Sequence, residues 1–254
     1  MLYIIGLGLC DEKDITLKGL EAVKASKYVY LENYTSKLSV PVERLEAFYG
    51  KKIILADRQL VENSDEIIKS AQEAKVSFLV IGDALSATTH IDLMKRAQSK
   101  GIEVELIYNA SVMTAVSATG LQLYKFGKVT SIPFSEKSFE PDSFYEILRE
   151  NQSIKAHTLF LLDIKPDRMM TVNQAIELLE RVEAKRKLGL ITEKTLAVAC
   201  ARLGCPDSRI IAGKIKDLKK IDFGIGPHCL IIPSKLHFVE EEFLRTFTPV
   251  SRRK

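Results

Sequence analysis

Gly82-Asp83 is the first place where residue types and spacing point to chemistry. An apolar, β-rich run from Val76 to Ile81 stops at this pair, and small residues follow before Thr88-Thr89-His90. Gly82 lets backbone come close to a ligand, and Asp83 adds a negative charge at the same spot. In open α/β sheets ligands bind just outside the carboxyl ends of strands, which is where the pair falls. An ordinary strand-to-helix turn uses the same residues, so other segments must decide. A second candidate is Gly6-Leu-Gly8, after the apolar start Leu2 to Ile5. The third glycine of a dinucleotide loop is missing, because Asp11 stands there with Glu12 beside it. Two acids suit a pyrophosphate poorly, so a nicotinamide or flavin dinucleotide site ranks last. Cys10, Cys200, Cys205 and Cys229 form no Cys-x-x-Cys pair, and ordinary buried thiols explain them better than disulfides or zinc. His90, His157, His228 and His237 do not cluster either, so no metal centre is indicated.

The elements that position these residues alternate. Leu2 to Ile5 reads as a strand, and Asp14 or Thr16 as the cap of a helix carrying Leu17, Leu20 and Val23 on one face. Strands follow at Tyr28–Leu31 and Lys52–Ala56, with helices at Val42–Tyr49 and, behind a Ser64 cap, Asp65–Ala74. After the Val76 strand, Thr88 or Thr89 can cap a helix through Ile91, Leu93, Met94 and Ala97. Ile102 to Ile107 is a further strand, ending in Tyr108-Asn-Ala-Ser111 and a small-residue helix through Val112, Ala115, Val116 and Ala118. Such alternation implies a mainly parallel sheet covered on both faces. From Phe126 the character changes. A short strand at Lys128–Ile132, a polar connection from Pro133 to Pro141, and helices at Asp142–Asn151 and Met170–Lys187 come next. Thr158–Asp163, Thr195–Ala201, Arg209–Lys214 and Cys229–Ile232 supply strands, and Phe238–Phe247 a closing helix. Shorter, turn-rich links imply a mixed sheet. The expected fold class is α/β, with domains at residues 1–112 and 113–254.

Whole-chain properties set limits. The chain has 254 residues, 46% hydrophobic and 28% charged, as ordinary globular proteins do. No apolar run approaches the length of a membrane span. The start, Met1-Leu-Tyr-Ile-Ile-Gly6, lacks the basic region and cleavage site of a signal peptide, so a cytoplasmic protein is expected. A formal net charge of +4 favours an anionic partner weakly, and no dense basic stripe with interleaved aromatics marks a nucleic-acid binder. The basic end, Ser251 to Lys254, reads as a solvated tail.

Taken together, the segments resemble the tetrapyrrole methylase family, two-domain methyltransferases that use S-adenosylmethionine. The resemblance rests on Gly6-Leu-Gly8 with Asp11 and Asp14-Ile-Thr16, and on Gly82-Asp83, where Ala84 stands in place of the family's proline. It extends through Tyr34-Thr-Ser36, Ala87-Thr-Thr-His90, Ser111, Thr119-Gly-Leu121, Tyr124-Lys-Phe-Gly-Lys128, Leu162-Asp-Ile-Lys165, Ala201-Arg202 and Pro227-His228. The order and spacing of these pieces point to the branch that modifies one histidine of translation elongation factor 2. That resemblance implies methylation, expected as trimethylation, of the amino group of a 3-amino-3-carboxypropyl-histidine, giving diphthine on the way to diphthamide. The compact length suggests the archaeal type of enzyme, which methylates only the amine. The family pattern also implies a homodimer, while the chain's own apolar runs and charge pattern lead to no membrane contact and no direct nucleic-acid partner being expected.

By the same resemblance, S-adenosylmethionine is expected in a cleft between the domains, leaving as S-adenosylhomocysteine. The matching positions are Leu9, Asp83, Ser86, Ser111, Val112, Leu162, Leu203 and His228. Leu9 is equally a core leucine, and Ser86 equally a helix cap. Ser111 and Val112 open a helix whose free N–H groups could meet a carboxylate, or form a routine cap. Tyr34 is a candidate aromatic wall for a quaternary ammonium. No catalytic base is identified. Alternatives are a tetrapyrrole or ribosomal RNA methyltransferase on the same scaffold, or a non-catalytic adaptor.

Overall fold

The computed structural model describes residues 1–135 and 141–248. The expected tail from Ser251 to Lys254 lies outside them, as does most of the expected connection between Pro133 and Pro141. The chain divides into two compact units, Met1–Ala115 and Val116–Lys254, against an expected boundary between residues 112 and 113. Each is an α/β unit built on one five-stranded sheet.

In the first unit the strands are β1 (Leu2–Gly6), β2 (Tyr28–Glu32), β3 (Ile54–Ala56), β4 (Val76–Val80) and β5 (Val104–Ile107). All pair in parallel, in the order β3-β2-β4-β1-β5. Both central strands, β1 and β4, are buried along their whole length, as expected where helices cover both faces. Strand alternation divides the apolar residues between two cores. Leu2, Ile4, Tyr30 and Phe78 enter one, and Tyr3, Ile5, Val29 and Leu79 enter the other. Edge strand β3 leaves Ile54 and Leu55 exposed.

Chain direction fixes where this sheet offers a site. From β1 the chain crosses to β2 on one side, and from β4 it crosses to β5 on the other. These two strands are neighbours, with Gly6 opposite Val80 at their carboxyl ends. Strand order therefore reverses there, and open α/β sheets bind ligands at such a point.

Helix Leu17–Ala25 is capped by Thr16, whose hydroxyl accepts from the Gly19 amide at 3.0 Å. Asp14, the other expected cap, is used elsewhere. Helix Ile91–Ser99 starts at His90 with no side-chain cap, because the Thr89 hydroxyl turns to Glu62 at 3.2 Å. A helix at Arg58–Asn63, capped by Asp57, has no counterpart in the sequence reading.

In the second unit the strands are β6 (Thr130–Ile132), β7 (Thr158–Leu162), β8 (Leu196–Ala201), β9 (Arg209–Lys214) and β10 (His228–Ile232), in the order β6-β7-β10-β8-β9. Only β6 and β7 are parallel, so the sheet is mixed as expected. Helices Ser143–Ser153 and Val172–Arg186 bury Phe144, Leu148, Ile176 and Leu179 against Phe160 and Leu230. Cys200 and Cys229 face each other across β8 and β10 as buried free thiols. The thiol reading holds for these two and does not extend to Cys10 and Cys205.

A buried carboxylate anchors helix Phe238–Arg245 in this unit. Glu240 accepts from the Gln122 amide at 2.9 Å, the His237 amide at 2.7 Å, His157 Nε2 at 3.1 Å and the Lys125 ammonium. His157 Nδ1 accepts from the Ser234 amide at 3.0 Å, which leaves its ring proton on Nε2, facing Glu240. No helix among the described residues is long and apolar enough to cross a membrane.

Candidate functional site

At the carboxyl edge of the first sheet, the loops leaving β1 and β4 are hydrogen-bonded to each other. The Gly8 amide donates to the Gly82 carbonyl at 3.1 Å, and the Gly82 amide donates to the Gly8 carbonyl at 2.7 Å. Both glycines have left-handed backbones, φ 81° and 84°, a conformation that side chains disfavour. The loop after β1 is closed by Asp14, whose Oδ2 accepts from the Leu9 amide at 3.1 Å and the Cys10 amide at 2.7 Å. Asp14 therefore shapes a loop.

Asp83 organises the second loop. Its Oδ1 accepts from the Leu85 amide at 3.1 Å, the Ser86 amide at 3.1 Å and the Ser86 hydroxyl at 3.0 Å. Its Oδ2 accepts from the Asn109 amide at 3.1 Å, which ties β4 to the end of β5. Burial works to raise the Asp83 pKa. The donated hydrogen bonds from Leu85, Asn109 and Ser86 outweigh it, so the carboxyl sits below its ordinary range. Asp83 is thus ionised at neutral pH, and Oδ2 keeps a lone pair beyond the Asn109 bond. Ser86 acts mainly through its bonds to Asp83.

The other first-unit candidates fall on the same edge. Leu9 is half-buried, and its amide is held by Asp14. Ser111 is buried and its hydroxyl accepts from the Met113 amide at 3.2 Å, so it caps the short helix Val112–Ala115. The expected longer helix breaks after one turn and continues as a 3₁₀ segment, Val116–Thr119. Val112 is half-buried at its start.

Three candidates belong to the second unit and gather at one end of its sheet. Leu162 ends β7, His228 starts β10, and Ala201, which ends β8, pairs with His228. Cys229 pairs with Leu161, so the same register sets His228 opposite Leu162. Leu203 is buried in the turn after β8, where the Arg202 amide donates to the Pro227 carbonyl at 2.9 Å. Burial pushes the His228 imidazole down in pKa, and the nearby backbone of Ile225 and Gly224 offsets this only in part. Neither ring nitrogen makes a hydrogen bond of good geometry among the described residues. A buried neutral imidazole with both nitrogens unused is the kind of group a ligand can satisfy.

Tyr34 does not fit its expected role. The Arg58 guanidinium lies 5.2 Å from its ring centroid, and the ring packs against the first core. Desolvation pushes its phenol up to about 12. The ring already carries a cation, so it is not an open wall for another. Asn109, by contrast, went unread in the sequence and proves central here. A lone asparagine between a strand and Ala110-Ser111 looks like turn chemistry, and its bonds to Gly6 and Asp14 span about a hundred residues. The usable signal was its place two residues beyond a strand end and two before Ser111.

The first 219 residues match the family model for Tetrapyrrole (Corrin/Porphyrin) Methylases. The chain belongs to this family of methyltransferases, whose methyl donor is of the S-adenosylmethionine type. Within that class it is similar to particular enzymes. It is 46% identical to the diphthine methyl ester synthase of Dictyostelium discoideum, over 97% of this chain and 98% of that one. It is also 46% identical to the diphthine methyl ester synthase of Homo sapiens, over 98% of this chain and 95% of the relative. A crystal structure of a diphthine synthase superposes with a TM-score of 0.90 at 39% identity, covering 98% and 96% of the two chains. The two alignments run over 267 and 271 positions against the 254 residues of this chain, so both methyl ester synthases carry extra residues within the matched span.

Proposed function

We propose that this chain transfers methyl groups from S-adenosylmethionine to a 3-amino-3-carboxypropyl-histidine of translation elongation factor 2, in the pathway to diphthamide. The names of its full-length relatives support the acceptor. The observation that carries the reading is the edge where β1 and β4 end. Two interlocked glycine loops there hold an ionised Asp83 with an acceptor lone pair to spare.

The residues fit a methyl donor of this kind. Bound, it supplies an electrophilic methyl on sulfur. Asp83 would accept from donor hydroxyls or the amino group, and the close backbone of Gly8, Leu9, Gly82 and Ser86 would line its binding surface. Ser111 and Val112 would face its polar end. Taken by itself, the second unit brings Leu162, Leu203 and His228 to one end of its sheet, where the ring nitrogens of His228 remain open to a ligand. The nucleophile must meet the methyl in line at roughly 3–3.5 Å, so holding both partners is the main catalytic task. An amine reacts only when unprotonated, whereas a carboxylate is ready at neutral pH. The same cradle therefore serves amine methylation, esterification or both.

The test is incubation with S-adenosylmethionine and elongation factor 2 bearing the aminocarboxypropyl group, followed by mass spectrometry of the modified peptide. Added methyls at that histidine, counted and assigned to nitrogen or carboxylate, are expected. No transfer to it by folded protein, with transfer to a porphyrinoid or to ribosomal RNA instead, would overturn the assignment. No transfer and no donor binding at all would leave an adaptor.

A further inference from the structure

Resting on the methyl-donor reading above, we infer that Asn109 is the positioning residue that sets the geometry of both donor loops. Its side-chain amide donates one proton to the Gly6 carbonyl at 3.0 Å, where β1 ends, and the other to the Asp14 carbonyl at 2.9 Å, where the loop after β1 closes. Its backbone amide donates to Asp83 Oδ2 at 3.1 Å. Its own Oδ1 accepts from the Ala110 amide at 2.7 Å and so fixes the turn that delivers Ser111. One half-buried residue thus joins the exits of β1, β4 and β5.

The first-unit donor candidates connect to it directly, through one bonded residue or along the chain. Leu9 is held by Asp14, Ser86 by Asp83, and Ser111 and Val112 follow it in the chain. The glycines respond to the same packing. A Cβ on Gly6 would sit 2.9 Å from the Asn109 Cβ and 2.7 Å from the Gly82 carbonyl oxygen. A Cβ on Gly8 would approach the Asn109 Oδ1 at 3.4 Å and Asp14 more closely still. The two carbonyls require a side chain with two N–H donors on one short arm. Aspartate has the same shape but would set a carboxylate against both carbonyls and against Asp83. Asn109 uses its side-chain hydrogens on backbone, so its effect on the donor runs through the loops.

The test compares wild-type protein with Asn109→Asp, and with Asn109→Ser, which keeps one small donor without adding charge. Two readouts separate the parts of the argument. Amide hydrogen exchange needs no ligand. Faster exchange at residues 6–14 and 82–86, with helix Glu66–Glu73 unchanged, is expected in both variants, and unchanged exchange in both loops overturns the positioning role. Calorimetric titration with S-adenosylmethionine should show affinity weakened by about 10- to 100-fold, as the loss of two hydrogen bonds to backbone implies. At saturating donor, kcat should change little and KM for the protein acceptor not at all. A purely structural residue would lower the unfolding temperature and leave the affinity of the folded protein intact, which also overturns the inference. If wild-type protein fails to bind the donor while exchange responds as expected, the donor reading fails and the loop-setting role of Asn109 stands.

Discussion

Each unit builds one carboxylate into a network, and the two networks use opposite means. Asp83 is half-buried and surrounded by neutral donors, three of them main-chain amides in the two loops it joins. Glu240 is fully buried and takes a lysine ammonium and a histidine N–H besides two amides. Amides around a half-exposed carboxylate shape a loop and leave an oxygen lone pair for a ligand. Charged partners around a buried one use up its capacity and fasten a helix. A cradle and an anchor are thus built from the same functional group. Substitutions at Glu240 should therefore act on stability, and substitutions around Asp83 on binding.

The largest expected effect breaks the anchor. Glu240→Gln leaves Lys125 without its counter-charge, and unfolding by urea should show a loss of about 3–5 kcal/mol. Donor affinity of the remaining folded protein should be unchanged. A change in affinity instead would erase the distinction between the two networks.

Acid should act next. Hydrogen bonds and Lys125 outweigh desolvation and hold Glu240 down to about 2, from an ordinary 4.5. A depressed carboxyl contributes stability that is present above its unfolded pKa and is lost as pH falls through its folded one. That stability should fade from about pH 4.5 towards about pH 2, on the order of 3 kcal/mol in all. Burial lowers His157 as well, so below its unfolded value of 6.5 the unfolded chain binds protons first and stability starts to fall there. Asp83 is depressed in the same sense and adds to the loss in the acid range. Wild-type protein should therefore weaken from slightly acid pH downward. Glu240→Gln should flatten the steeper, carboxyl part of that curve, and an unchanged slope would contradict the role of Glu240.

Gly6→Ala breaks the cradle alone. Its methyl would meet the Gly82 carbonyl oxygen at 2.7 Å, so the strand ends must move apart, at about 1–3 kcal/mol. Donor affinity should fall and the Glu240 network stay intact, as seen by unchanged protection of helix Phe238–Arg245 in hydrogen exchange. The smallest effect is at His228. Because its ring nitrogens have no partner of good geometry among the described residues, His228→Phe should leave the unfolding midpoint unchanged or slightly raised while weakening donor binding. A large loss of stability would show the imidazole to be structural.

The contrast also explains what could be read from the sequence. Alternating and continuous apolar runs located all ten strands among the described residues to within a few residues, because burial on one or both faces leaves a local pattern. Gly6, Gly8, Gly82 and Asp83 were legible for a similar reason, since a sharp strand exit needs special backbone within a few residues. Asn109 and the Glu240–His157 contact were not, because their partners lie far away along the chain and no local period marks them. Helix Arg58–Asn63 is too short for periodicity to register. The setting of Tyr34 was not legible either, because sequence shows an aromatic residue but not the Arg58 that stacks on it.

The most direct test of the central claim is calorimetric titration of wild-type protein and Asp83→Ala with S-adenosylmethionine. Removing the carboxylate leaves four donors of the cradle without an acceptor. Micromolar binding by the wild type, weakened about 30-fold or more in the variant, is the predicted result. Equal affinity in the two, or no binding by folded wild-type protein, would contradict the assignment of this sheet edge as the methyl-donor site.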